Sequence, residues 1–301
     1  MKFVKYILVL GLIVSACSKK AEDSETISDE LAQNVGDMMA GVDESGGSNG
    51  TLAFRSEVSG AERILAKHAP ADLRWRTVLA KVLPEARATS CYGYGFGACT
   101  SSTITRNFNS CTIGSATVTG DVDITWAGTG VTTCALNQSG NTITRDPNFT
   151  VTGPYGGAFH VAKTATIGQR ITWASGTGTT KAFNFSNDGI RRWVTTPGGT
   201  TIYDYTTTTT SDITVTGTLR SNRVMNGGTL RVTNNLTSAT CDISPSNVNW
   251  SSGCTCASSG SWSGTCSDGS SVSLSITSCG SGTLTIGSTS RGVSFDRCTG
   301  T

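Results

Sequence analysis

The chain has 301 residues and a mass of 31.2 kDa, enough for one large or two modest domains with a substantial core. Its hydrophobic fraction is 37%, and 36 glycines raise the apolar share to about 49%, which excludes disorder along the whole length. Charged residues are only 15%, with 23 Lys and Arg against 21 Asp and Glu, so no strong field exists to recruit nucleic acid, and the surface must be rich in hydroxyls.

Met1 to Lys5 carries Lys2 and Lys5, Tyr6 to Val14 is almost wholly apolar, and Val14-Ser15-Ala16-Cys17 follows. That order is a charged n-region, an h-region and a small-residue cleavage site. The apolar run falls far short of the roughly 20 residues a membrane-spanning helix needs. The Val-Ser-Ala-Cys ending resembles the lipobox of bacterial lipoproteins. The resemblance implies that residues 1–16 are removed and that Cys17 becomes an acylated first residue. Several acyl chains then hold it in a bilayer, where one chain would be marginal. In this family Asp after the cysteine marks inner-membrane members; Ser18 here implies the outer membrane of a Gram-negative bacterium, with periplasmic or surface orientation open. Loss of Lys2 and Lys5 leaves the mature chain with no net charge.

Residues 17–58 read as a lipid-anchored flexible acidic tether, with Glu22, Asp23, Glu25, Asp29, Glu30, Asp37, Asp43 and Glu44 ahead of Gly46-Gly47-Ser48-Asn49-Gly50. Within it Ser28 to Met39 suits a short helix capped by Ser28, with Leu31, Val35, Met38 and Met39 on one side, marginal if isolated. Residues 59–88 form a helical segment. Ser59-Gly60-Ala61-Glu62 is a capping box, Pro70 interrupts, and Asp72 caps a second run with Trp75, Val78, Leu79 and Val82 at helical spacing before Pro84. Arg74, Arg76 and Lys81 on the opposite face suit lipid headgroups, but packing of Trp75 over the sheet that follows is the preferred reading.

After Thr89 the apolar period becomes two. Ala116, Val118, Val122, Ile124 and Trp126 alternate with Thr and Asp, and the same holds for Ala165 to Trp173, Ile213 to Leu219, Leu230 to Leu236, Val272 to Ile276, and Val293 with Phe295. Turn signals at Pro154-Tyr155-Gly156-Gly157, Asn187-Asp188-Gly189, Pro197-Gly198-Gly199, Asn226-Gly227-Gly228 and Asp268-Gly269 are too closely spaced for helical crossovers. The fold expected is mainly β: a Thr- and Ser-rich antiparallel sheet curled into a barrel or sandwich, with a short N-terminal helical segment. Residues 89–238 make the antiparallel β domain, and 239–301 a disulfide-rich β subdomain or a continuation of the sheet. Thr-Val-Thr-Gly recurs at Thr117, Thr150 and Thr214 at unequal intervals, so it marks strands ending in a bend, bulge or turn rather than a solenoid repeat.

Of the 11 cysteines, Cys17 is assigned to lipid. The other ten, Cys91, Cys99, Cys111 and Cys134 and then Cys241, Cys254, Cys256, Cys266, Cys279 and Cys298, are disulfide candidates whose pairing spacing does not settle. The chain has no C-x-x-C pair, so no metal site is assigned, and no cofactor is expected.

Catalytic signatures are also lacking: Gly46-Gly47-Ser48-Asn49-Gly50 spells G-x-S-x-G but lies in the tether and not in a strand-to-helix elbow, and no P-loop, H-E-x-x-H or dinucleotide fingerprint occurs. His68 and His160 read as structural or exposed. Asp121 and Asp123 share one strand face and read as a solvent-facing edge, while Asp188 and Asp204 are the remote carboxylates a glycosidase would draw on. In Cys91-Tyr92-Gly93-Tyr94-Gly95-Phe96-Gly97-Ala98-Cys99, extended backbone would set Tyr92, Tyr94 and Phe96 on one face as a stacking platform. Trp126, Trp173, Trp193, Trp250 and Trp262 read mostly as core by alternation, although Trp262, in Ser-Gly-Ser-Trp-Ser-Gly, is also a candidate exposed ring for ligand binding. The function expected is non-enzymatic binding or adhesion at the cell envelope, with a glycan, protein or lipid as ligand. The alternatives are a carrier of a hydrophobic ligand in a β-barrel and, behind it, an envelope glycan hydrolase.

Overall fold

The computed structural model describes residues 31–36, 38, 39, 65, 101–113, 115–295 and 298. Cys17, His68, the 89–100 segment with Tyr92, Tyr94, Phe96, Cys91 and Cys99, and most of the 59–88 helical segment lie outside the described residues.

The protein is mainly β, with all strand pairs antiparallel in one 16-stranded sheet. The strands are β1 (Thr103–Ile113), β2 (Ala116–Ala127), β3 (Thr142–Thr152), β4 (Ala158–Lys163), β5 (Gln169–Ser175), β6 (Ala182–Asn187), β7 (Ile190–Thr195) and β8 (Thr201–Ser211). They continue as β9 (Ile213–Thr216), β10 (Val224–Asn226), β11 (Thr229–Asn234), β12 (Thr240–Trp250), β13 (Ala257–Cys266), β14 (Ser271–Ser278), β15 (Ser281–Ile286) and β16 (Thr289–Ser294). The period-two pattern produces them directly. In β14, Val272, Leu274 and Ile276 are buried while the serines between them are exposed.

Two long strands fork the sheet. One edge of β3 pairs with β2, and its other edge pairs first with β5 and then with β4. In the same way β12 has β13 on one edge and β11 followed by β10 on the other. The arms β4-β7-β8-β11 and β5-β6-β9-β10 therefore run from one fork to the other and close a ring.

A proline sits at each fork. Gly227 N–H donates to Pro245 O at 3.2 Å, which places the Pro245 nitrogen on the same, divided edge of β12. Asn141 and Gly153, in step with Pro147 along β3, bond Trp173 and Gly157 on the divided edge of β3. Proline offers no N–H, and at these two points no strand is there to receive one.

The chain alternates between the arms, so two of the five turn signals do not close hairpins. Asn187-Asp188-Gly189 and Asn226-Gly227-Gly228 each carry the chain from one arm to the other. Asp212 alone separates β8 from β9, another crossing. The walls touch: Asn187 Nδ2 donates to Thr207 Oγ1 at 2.9 Å, and Asn187 N–H to Thr209 Oγ1 at 2.9 Å. Phe149, Phe159, Phe185, Tyr203, Tyr205, Ile213 and Met225 fill the space between, all within one contiguous core. Apolar side chains dominate the inward face, where Arg192 is also buried, and Thr and Ser dominate the outward face, the reverse of a porin-type wall.

Some strand expectations shift. Ala165 and Ile167 precede β5 in irregular chain, and Leu219 and Leu236 lie past their strands, 53% and 51% exposed. In the Thr-Val-Thr-Gly repeats, Gly120 (φ +101°) lies opposite Phe108, where a bulge in β1 between Phe108 and Cys111 begins, and Gly217 (φ +87°) follows β9, where a Cβ would lie 2.2 Å from Asn222 O. Asp121 and Asp123 do not protect an edge, because β2 is paired on both sides.

The N-terminal helix α1 (residues 31–36 and 38–39) is buried on every described side, including Gln33 and Asn34. Gln33 Nε2 donates to Ser294 O at 2.7 Å, and a Cβ at Gly36 would lie 3.0 Å from Phe295 Cβ. These residues, expected in the free tether, belong to the core. A helix of this length is unstable alone, and the C-terminal strands supply the packing it lacks. Leu65, also helical, packs on the Gly153–Gly157 turn.

The second cysteine group pairs within itself as Cys241–Cys266, Cys254–Cys279 and Cys256–Cys298. Cys111 and Cys134 are also disulfide-bonded. The 239–301 stretch continues the sheet through β12 while carrying these three bridges.

Candidate binding face

Antiparallel registry brings Thr119, Thr150, His160, Trp193 and Asp204 into one row across β2, β3, β4, β7 and β8. Asn235, just past β11, extends it through an N–H to Asp204 O bond at 2.9 Å. The row lies on the outward face, because Ile190, Arg192 and Val194 take the inward positions of β7. Trp193 is therefore half-exposed, not core as its apolar neighbours suggested.

The row is tightly bonded. His160 lies between Thr150 Oγ1, 2.9 Å from Nδ1, and Thr195 Oγ1, 3.2 Å from Nε2. Its ring stacks on Trp193 with centroids 4.6 Å apart and planes 10° from parallel. The Arg191 guanidinium lies 4.6 Å from the Trp193 centroid and donates from Nε and Nη2 to Asp204 at 2.8 and 2.6 Å. Asn235 Nδ2 adds bonds to Asp204 Oδ1 at 2.7 Å and Thr206 Oγ1 at 2.9 Å.

These contacts set the charge states. Burial acts to raise the Asp204 pKa, but hydrogen bonds from Arg191 and Asn235 and the Arg191 charge outweigh it, and the carboxyl stays below its usual range. A carboxylate held ionised is unsuited to the general-acid step of glycoside hydrolysis. The Asp204 bond in turn raises the Arg191 pKa. Burial, and then the Arg191 charge, hold His160 below its ordinary 6.5. As pH falls through about 6.5, unfolded chains take up this proton before folded ones do, so stability declines across that window. His160→Gln is expected to remove that step, read as thermal midpoints at pH 7 and pH 5 beside the parent protein. An equal pH 5 loss in both proteins would refute the assignment.

A second outward surface is plainer. Ser244, Ser263, Ser273, Thr285 and Ser290 form one rank across β12 to β16, and Ser246, Ser261, Ser275 and Thr283 form the next. Strands about 4.8 Å apart make this a grid of hydroxyls. Asp121 and Asp123 face outward on β2, with Asp123 bonded by Thr105 Oγ1 at 2.6 Å and lying opposite Asp146, which pairs with Lys163 at 2.6 Å. Burial, and then the Asp123 charge, raise the Asp121 pKa. Among the described residues no group of three or more His, Cys, Asp or Glu is placed to hold a metal ion.

Trp262 is a correction. It is 0% exposed and faces inward between Pro245 and Leu274, so it is no surface platform. Sequence reasoning missed the His160–Trp193 row because its members are 33 residues apart; the signal that was present is that Trp193 shares its strand parity with Arg191 rather than with Ile190.

Comparison of the chain with protein-family models, curated proteins and solved structures finds no match.

Proposed function

We propose that the protein is a non-enzymatic binding module of the cell envelope, held to the outer membrane by acylated Cys17. The observation that carries the binding reading is the outward face: ranked Ser and Thr hydroxyls on β12 to β16 beside a preorganised aromatic-polar row on β4, β7 and β8. Such faces suit weak, repeated contacts with a polar partner. The disulfides support export to an oxidising compartment. The bridged walls at Asn187 and Thr207 support a packed body over a hydrophobic-ligand carrier.

Metabolic labelling with palmitate tests the anchor. The parent protein is expected to carry label and to fractionate with membranes, and Cys17→Ser to lose both. An unlabelled parent protein would overturn the anchored reading.

A further inference from the structure

We propose that the ridge of His160, Trp193, Arg191, Asp204 and Asn235 is a subsite for a neutral glycan; this rests on reading the protein as a binding module. Three features of the ridge select that ligand class.

Its charges cancel locally. The two Arg191–Asp204 bonds join one cation to one anion, and the further ion pairs Lys163–Asp146 and Arg231–Asp242 cancel as well. An anionic or cationic partner gains little from such a surface.

It also keeps unspent hydrogen-bonding capacity of both signs. Among the described residues, Trp193 Nε1–H has no hydrogen-bond partner, Arg191 uses Nε and Nη2 but not Nη1, and Asn235 uses its amide nitrogens but not Oδ1. Donors beside an acceptor match hydroxyl groups, which both donate and accept. Thr150, Thr195 and Thr206 have their hydroxyls around the same ridge.

Finally, the ridge is rigid and offers apolar surface. The indole is fixed by the His160 stack, Arg191 is held in a two-bond fork, and three adjacent strands, β4, β7 and β8, carry them, so little ordering cost falls on binding. Ala158 and Ala162, the same-face neighbours of His160 along β4, are small and leave the stacked rings as the bulky feature of that face. Leu236, 51% exposed, follows Asn235 in the chain and offers a second apolar contact for the C–H face of a sugar ring.

The test uses the full chain with Cys17→Ser, purified as soluble protein, in affinity electrophoresis through gels containing dextran, galactomannan, mixed-linkage β-glucan or polygalacturonate. Retardation is expected in at least one neutral gel, unchanged when salt rises from about 50 mM to about 500 mM. Trp193→Phe keeps a ring to stack on His160 while removing the indole N–H and part of the ring surface, and is expected to weaken binding about fivefold. Trp193→Ala is expected to abolish the retardation, with circular dichroism reporting on its fold. No retardation in any neutral gel, retardation by polygalacturonate alone, or equal binding by Trp193→Phe and its parent would overturn the glycan subsite.

Binding of the same proteins to isolated outer membranes and sacculi separates the two levels. If the parent protein binds envelope material and both Trp193 variants bind equally, the subsite falls while the module stands. If the parent protein binds neither envelope nor glycan, the module reading falls with it.

Discussion

Trp262→Ala is expected to destabilise the protein by about 4 kcal/mol, lowering the thermal midpoint by about 10 °C. The indole is 0% exposed in the middle of β13, across from Pro245 on β12 and Leu274 on β14. Its two same-face neighbours along β13 are Gly260 and Gly264, so the ring occupies space that no other side chain of the strand reaches. The glycines cannot fill in after truncation: a Cβ at Gly264 would stand 1.8 Å from Asp242 O, and at Gly260 2.3 Å from Asn247 O. The cavity therefore stays open, and the cost adds a cavity contribution to the lost transfer energy. Trp262→Phe isolates packing from polarity. Among the described residues Trp262 Nε1 has no hydrogen-bond partner, so phenylalanine loses ring volume but no bond, and a cost of about 1 kcal/mol is expected. Urea unfolding of both variants checks the pair. A loss below about 1 kcal/mol for Trp262→Ala would mean that the ring is not core.

The same residue shows where the sequence was legible. The segment Ser259-Gly260-Ser261-Trp262-Ser263-Gly264 looks like a loop by composition, yet it alternates strictly, with serines outward and Gly, Trp, Gly inward. Counting glycine as an inward residue decides between the two readings of Trp262 and places it inside. Strand existence and antiparallel pairing followed from period two because each strand buries one face against a shared core. Arm membership did not follow, since a tight turn such as Asn187-Asp188-Gly189 specifies a reversal without saying whether the next strand pairs locally or crosses to the other wall. Pro147 and Pro245 held the missing information. Proline within a long alternating strand marks a place where one edge has no partner, and here both places are forks. The ridge was invisible for a different reason: His160, Trp193 and Asp204 meet only through the registry of β4, β7 and β8, which no local pattern encodes.

Removing the Cys256–Cys298 bridge by the Cys256→Ala and Cys298→Ala pair is expected to cost about 4 kcal/mol, the chain-entropy value for a closed loop of its length. The bridge spans 42 residues, from just before β13 to beyond β16, and so encloses the whole C-terminal meander. Cys241–Cys266 spans 25 residues but joins positions already opposed in the β12–β13 ladder. The two bridges differ little in loop entropy and much in what they hold locally. Among the described residues, β16 is paired only with β15, and α1 rests against it through Gln33 and Gly36. The Cys256 sulfur itself lies 3.8 Å from Gly36 O. Loss of Cys256–Cys298 is therefore expected to release β16 and α1 together, and loss of Cys241–Cys266 to leave them protected. Hydrogen exchange should show faster amide exchange in residues 289–295 and 31–39 for the first double variant only. If those amides exchange at the parental rate while global stability falls, the bridge acts on the unfolded chain alone, and the linkage of helix, last strand and disulfide is wrong.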